Sequence, residues 1–203
     1  MVEIRGAPPR VEAAVRAELE PLLGTSLVRI DRGDLARRLE ALPIVHAAEV
    51  DRAFPHTLSL LVRAERPLAV VRVRGVGAWV VSEHGRVLER ATMRALTRFP
   101  LIALPPGVEL QPGEVLESTA ALTALDALRA LPRPFPIRVR SARAQLGRIV
   151  LVVGTGAELR LGEPIDLRLK LAVAERLLRS IPPDERAELD YVDLSLPARP
   201  VAA

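Results

Sequence analysis

Cysteine is absent from these 203 residues. That excludes a disulfide framework and thiolate-ligated zinc, and it leaves the compartment open. Lysine is almost absent too. Lys170 is the only one, so all but one of the 29 basic residues are arginines, which accounts for a pI near 10.7 at a net charge of only +4. Aromatic residues make up 2%, too few for the stacking platform of a single-strand nucleic-acid binder. The 25 acidic residues are interspersed among the basic ones, so no phosphate track is drawn and nucleic acid is not an expected partner. No window approaches the roughly 20 apolar residues of a membrane span; the run from Leu68 to Val81 is broken by Arg72 and Arg74. No signal-peptide pattern precedes Val2. The chain is expected to be soluble as it stands.

What the chain does have is core-forming material. Hydrophobic residues reach 49% and charged residues 27%, the balance of a globular chain and not of a disordered one. With so few aromatics, the core must be built from Leu, Val, Ile and Ala. The length allows one large domain or two small ones.

Val2 to Arg5 alternates like a short strand, ended by Gly6 and the pair Pro8-Pro9. From Val11 to Leu23, Val11, Ala14, Val15, Leu19, Leu22 and Leu23 share a helical face, and Gly24 reads as a left-handed cap. Asp31 reads as the N-cap of a second helix, with Asp34 in its first turn, Leu35, Leu39 and Leu42 as its stripe and Pro43 as its stop. A strand then runs from Val45 to about Ala53, inward through Val45, Ala47 or Ala48, and Val50. Pro55-His56 is the turn into a second strand on Leu58, Leu60 and Val62. Phe54 would pack, Pro55 would fix the turn, and Arg52 would pair with Glu65 across the hairpin.

The texture changes at Arg66-Pro67. Strands are predicted over 68–73, 78–82 and 86–89, with His84-Gly85 as a turn, followed by an irregular stretch punctuated by Pro100, Pro105-Pro106 and Pro112-Gly113. A helix is predicted over 116–131, strands over 137–141, 147–153 and 158–161, and a helix over 164–181 closed by Pro182-Pro183. A strand over 189–196 and a short edge strand over 199–202 finish the chain. The fold class is therefore α+β: a βααββ domain over 1–66, then a mainly β domain over 67–203 with two packed helices.

Catalytic and metal-binding signals are weak. Ser82 and His84 lie near each other without a G-x-S-x-G frame. His46, His56 and His84 sit on separate elements without H-E-x-x-H spacing. Gly154-Thr155-Gly156 lacks the Lys-Ser/Thr and the following helix of a phosphate cradle, and reads as a hairpin turn. Trp79, between strand residues, reads as core in preference to a binding hot spot. No enzyme activity, cofactor or metal is expected.

The stretch from Gly24 to Ala69 carries a joint pattern: Gly24, Ser26-Leu27, Asp31, Leu39, Leu42-Pro43, Val45, Ala48 and Val50, then Arg52-Ala53-Phe54-Pro55, Leu58, Leu60, Val62 and Glu65-Arg66-Pro67 with Ala69. It resembles the POTRA domain of the FtsQ/DivIB cell-division family, in which Trp usually stands where this chain has Phe54. Downstream, Trp79 to Leu88 is similar to the family's strand and Gly-centred turn, with Ser82 in the place of an Asp. Pro100-Leu101-Ile102, Leu161-Gly162, Lys170-Leu171 and Tyr191-Val192-Asp193-Leu194 continue the likeness.

The resemblance implies a non-enzymatic divisome scaffold. It implies a bitopic full-length protein at the division septum, whose transmembrane helix is missing from this chain, with these two domains on the extracytoplasmic face and Met1 a start introduced for the fragment. It implies FtsB and FtsL as partners, possible contact with septal peptidoglycan synthase components, and regulation of septal peptidoglycan synthesis. Contact would be by strand addition at an edge formed by Tyr191, Val192, Leu194, Leu196, Arg199 and Val201. Gly24, Asp31, Pro43, Arg52, Phe54, Pro55, Glu65 and Pro67 would serve POTRA structure or recruitment. The alternative is a POTRA-type assembly or transport factor that binds extended polypeptide, a reading that predicts tandem POTRA units or a following barrel.

Overall fold

A computed structural model describes residues 2–22, 24–53 and 57–202. The chain divides into two compact units, Met1–Arg66 with Pro112–Glu114, and Pro67–Gln111 with Val115–Ala203.

In the first unit β1 (Val2–Arg5) leads into α1 (Pro9–Leu19). Pro9 opens the helix, where a missing N–H removes no hydrogen bond. Val11, Val15 and Leu19 are buried at i, i+4 spacing. After a 3-10 turn over Glu20–Leu22, Gly24 takes a φ of 88°, the left-handed conformation that spares a glycine the Cβ clash. Asp31 caps α2 (Arg32–Glu40): its carboxylate accepts the amide of Asp34 at 2.9 Å. Leu35 and Leu39 face inward, and Arg37 and Arg38 face outward to pair with Asp34 and Glu18.

The hairpin of β2 (Val45–Ala53) and β3 (Thr57–Ala64) is antiparallel, and β1 joins it parallel to β3, in the order β1-β3-β2. A register shift between Val45 and Ala47 inserts an extra residue. It turns Val45, Ala48 and Val50 inward and leaves Ala47 on the outer side, settling by a bulge what strict alternation left open. Phe54, Pro55 and His56, read from sequence as the turn, lie outside the described residues, as does Leu23.

The second unit begins with β4 (Pro67–Val73), β5 (Gly77–Ser82) and β6 (Val87–Arg90) as an antiparallel meander. α3 (Met93–Arg98) then returns the chain to β7 (Leu101–Leu104), parallel to β4. Next come α4 (Thr119–Arg129), capped by Ser118, the hairpin of β8 (Val139–Gln145) and β9 (Arg148–Val153), and β10 (Glu158–Gly162). α5 (Leu167–Ser180), α6 (Pro183–Glu188), β11 (Tyr191–Asp193) and β12 (Val201–Ala202) complete the unit. The nine strands form one sheet, β12-β11-β10-β9-β8-β7-β4-β5-β6.

α4 and α5 cover one face. Ala124, Leu125, Leu128, Leu171, Ala174 and Leu178 pack on Val71, Ile102, Ile149, Leu151, Leu159 and Leu161. Trp79 is buried in this same core, as its strand setting predicted. The opposite face carries a smaller cluster, Val70, Val80 and Leu88, under Ala95 and Leu96 of α3.

Four elements depart from the sequence reading. The stretch after Pro100, read as irregular, holds β7. α3 and α6 are additional six-residue helices. The strand read over 189–196 is only β11, because its first residues follow α6 and its last belong to a turn.

Candidate functional site

The C-terminal margin of the large sheet is built by close approach. β11 runs parallel to β10, pairing Glu158 with Tyr191 and Arg160 with Asp193, and β12 folds back antiparallel, with Val201 opposite Asp193. Two devices hold the turn between them. Asp193 accepts the amide of Ser195 at 2.8 Å, and the amide of Arg199 donates to Leu196 at 2.9 Å. The backbone hydrogen bond to Ser195, then its side chain, holds the Asp193 carboxyl below the usual aspartate range.

Ser195 also lies against Gly162. Gly162 has a φ of 65°, and a Cβ there would meet Ser195 Oγ at 2.8 Å and Ser195 Cα at 3.2 Å. Only glycine lets this backbone come so near. Just behind, the buried Lys170 of α5 donates its ammonium to the carbonyls of Leu161 and Glu163 at 2.8 and 2.9 Å. A point charge on a flexible stem reaches two converging carbonyls; the planar guanidinium used almost everywhere else in this chain is too broad for that buried spot.

β12 ends the sheet, and its exposed Val201 and the exposed Leu196 offer apolar side chains there. Tyr191 is half-buried with the Arg160 guanidinium 4.0 Å from its ring centroid. Arg160 also pairs with Glu158 at 3.0 Å, and Glu158 with Arg143 at 2.6 Å. Their hydrogen bonds, Arg160 first, lower the Glu158 carboxyl. A charged row thus crosses the outer face from β8 to β11. Val192 and Leu194 are fully buried: their side chains support the edge from the core, while Leu196, Arg199 and Val201 are exposed on it. The other terminal strand, β6, is shielded at its start, where Arg86 bridges to Val115 and Leu116 donates to Gly85. Sequence reasoning missed Arg160 and Gly162 as builders of the edge. The isolated Lys170 and the alternating charges of Glu158-Leu159-Arg160 were the signals that could have found them.

In the first unit the predicted motif residues have structural partners. Asp31 is the cap described, its carboxyl lowered chiefly by the Asp34 amide. Pro43 lies in the turn closing α2, where Val45 donates to Leu42. Pro67 starts β4, the position in an interior strand that tolerates a missing N–H. The expected Arg52–Glu65 pair is not formed. Register sets Arg52 opposite Leu58 and Val45 opposite Ala64, so the two residues lie at opposite ends of the hairpin. Arg52 instead donates to the carbonyl of Ile30, tying the end of β2 to the loop before α2. Glu65, nearly buried, lies 3.3 Å from His46 Nδ1, and its amide donates to Ile44.

The Ser82 hydroxyl is enclosed in its own turn. It is buried, and its Oγ accepts the amides of His84 and Arg86, each at 3.2 Å. It does the turn-capping work of a short acceptor side chain and is not presented as a nucleophile. The 154–156 loop joins β9 to β10 as a hairpin, with the Gly156 amide donating to Val153.

Comparison with known proteins agrees with this architecture. Residues 2–63 match the family model described as POTRA domain, FtsQ-type. Residues 69–195 match the model described as cell division protein FtsQ/DivIB, C-terminal, a match that stops short of β12. The chain is 29% identical over 200 residues to the cell division protein FtsQ of Anaeromyxobacter sp. (strain K), covering 91% of this chain and 66% of that protein. It is 33% identical over 86 residues to the FtsQ of Thiomonas arsenitoxydans, covering 42% of this chain and 32% of that protein. The chain thus spans just under two thirds of the length of the first of these relatives and a third of the second. No helix among the described residues is long and apolar enough to cross a membrane. With both domain models matched in sequence order and the two folds they require in place, the chain belongs to the FtsQ/DivIB family of cell-division proteins.

Proposed function

We propose that this chain is a non-enzymatic scaffold of the division machinery, with domains over 1–66 and 67–203, and that its C-terminal sheet edge binds the extracytoplasmic part of an FtsB–FtsL pair. A strand of the partner adds alongside β12 on the outer face of the cell membrane at the septum, and the complex helps recruit and regulate septal peptidoglycan synthesis. The POTRA residues serve structure or recruitment. The full-length protein is attached through a membrane helix outside this chain.

One observation carries the reading: the sheet ends in a two-residue strand that is braced from behind and presents exposed apolar side chains. An unpaired terminal strand is a template for main-chain pairing, with alternate side chains supplying specificity. Pro197 and Pro200 limit the donors of this segment, so the partner strand would be short and would depend on side-chain contacts at Leu196 and Val201.

The test is titration of the chain with soluble FtsB–FtsL from the same source, read by calorimetry. Val201→Asp should weaken binding by about tenfold or more without lowering the melting temperature, because Val201 is 54% exposed. Tyr191→Ala should weaken it as well. Affinity should also fall as salt rises if arginines steer an acidic partner. Binding that survives Val201→Asp unchanged would move the contact off this edge.

A further inference from the structure

The outer face of the large sheet is only partly covered. α3 lies over Val70, Val80 and Leu88, but toward the β4–β5 turn the cover ends. A groove of about 1170 Å³ opens there, lined by Arg72, Arg74, Ala78, Arg90, Leu96 and Leu101 among others. Its construction follows from strand alternation. Val71 and Val73 of β4 point into the main core, so Val70 and Arg72 stand on the opposite face, and Arg74 follows in the β4–β5 turn. Arg72 is flanked by Ala78 across β5 and Ala103 across β7, small residues that leave room above the sheet. Arg90 is held over the Trp79 ring, 5.4 Å from its centroid.

Two features make this a site and not an ordinary solvated face. First, no acidic residue lines the groove. The side chains of Arg72 and Arg74 have no ion pair or hydrogen bond among the described residues, whereas Arg16, Arg38, Arg63, Arg129 and Arg179 each hold a carboxylate. Second, the floor between the cations is apolar. A bare phosphate would use the arginines and leave that floor wet.

We propose that this groove receives an acidic amphipathic helix of a partner protein. The groove is lined chiefly by strands already paired on both sides and by the β4–β5 turn, with only Arg90 from the end of the terminal strand β6, so an extended peptide would find little main-chain ladder there, whereas a helix satisfies its own backbone. Arg72, in β4, and Arg74, the first residue of the turn that follows, are separated by one residue, a span of at most about 7 Å. Carboxylates at i and i+4 of a helix are separated by a similar 5–6 Å. A helix with Glu at those positions can meet both guanidinium groups while its apolar stripe rests on Ala78, Leu96 and Leu101. The proposal is independent of strand addition at β12.

The probe is a helix-stapled synthetic peptide with a Leu stripe flanked by Glu at i, i+4, titrated into the isotope-labelled chain and followed by amide resonances. Saturable shifts are expected for residues 72–78 and 96–103. The double variant Arg72→Glu/Arg74→Glu should raise Kd by about tenfold or more, with Arg72→Gln/Arg74→Gln between it and the parent, all at unchanged melting temperature. A peptide carrying Gln for Glu should bind the parent more weakly. Shifts centred elsewhere, or equal affinity for the Glu and Gln peptides, would overturn the proposal. So would an arginine-dependent association with phosphatidylglycerol vesicles in place of peptide binding, or an arginine-dependent dimer in sedimentation without peptide, which would put a second copy of the chain in the groove. Val201→Asp should leave the peptide titration unchanged, so failure here and failure at the β12 edge are read separately.

Discussion

Two buried polar side chains carry more of the second unit's geometry than their chemistry announces. Ser82 acts within its own turn, where its hydroxyl oxygen accepts the main-chain amides of His84 and Arg86. Ser82→Ala removes the single oxygen that accepts both amides at a fully buried position, and a cost of roughly 1–3 kcal/mol is expected, measured as a lower denaturant midpoint at unchanged slope. Lys170 ties α5 to the end of β10 through two carbonyls. Lys170→Met keeps the stem and removes the donors, and should cost roughly 3 kcal/mol. Lys170→Arg should not rescue it, since the planar group must force the two carbonyls apart. A variant as stable as the parent would show that the carbonyls find water instead.

The elements were legible where periodicity ran long enough to speak. Val11, Val15 and Leu19 announce α1, Leu58, Leu60 and Val62 announce β3, and the Asp31 cap and Pro43 bracket α2. β7 was not legible. Four residues set between Pro100 and Pro105 look like loop, and what makes Leu101–Leu104 a strand is the parallel partner β4 supplied from some thirty residues earlier. The Arg52 partner failed for a related reason: pairing by hairpin proximity ignores register, and register places Glu65 at the far end. The candidate edge was legible as a terminal strand, but the contacts that brace it were not, because Gly162, Lys170 and Ser195 meet only in space. Asp193 gives that brace a pH signature. Its carboxyl lies below the ordinary aspartate value of 3.8 because Ser195 bonds the charged form. A carboxylate lowered on folding contributes stability that is present above its unfolded value and lost as pH falls through the lower folded one. The Ser195 amide resonance should therefore titrate with a midpoint below 3.8. In Asp193→Asn it should show no such titration, and β12 should pair less firmly at every pH.

Over the whole molecule, the two units have cores that share no residue: Val15, Leu39 and Leu60 belong to one, and Leu125, Ile149 and Leu171 to the other. The proposed partner contacts all lie in the second, which makes the choice of working unit an experiment. Leu39 is fully buried at the centre of the first core, so Leu39→Ala should remove about 2–5 kcal/mol by transfer and cavity terms. Hydrogen exchange read by mass spectrometry should then show faster exchange in peptides from residues 2–64. If the β12 edge carries the partner, the FtsB–FtsL titration of this variant should match the parent while Val201→Asp fails. If Leu39→Ala abolishes binding and Val201→Asp spares it, the POTRA surface is the working face, and the terminal strand is only the place where the sheet stops.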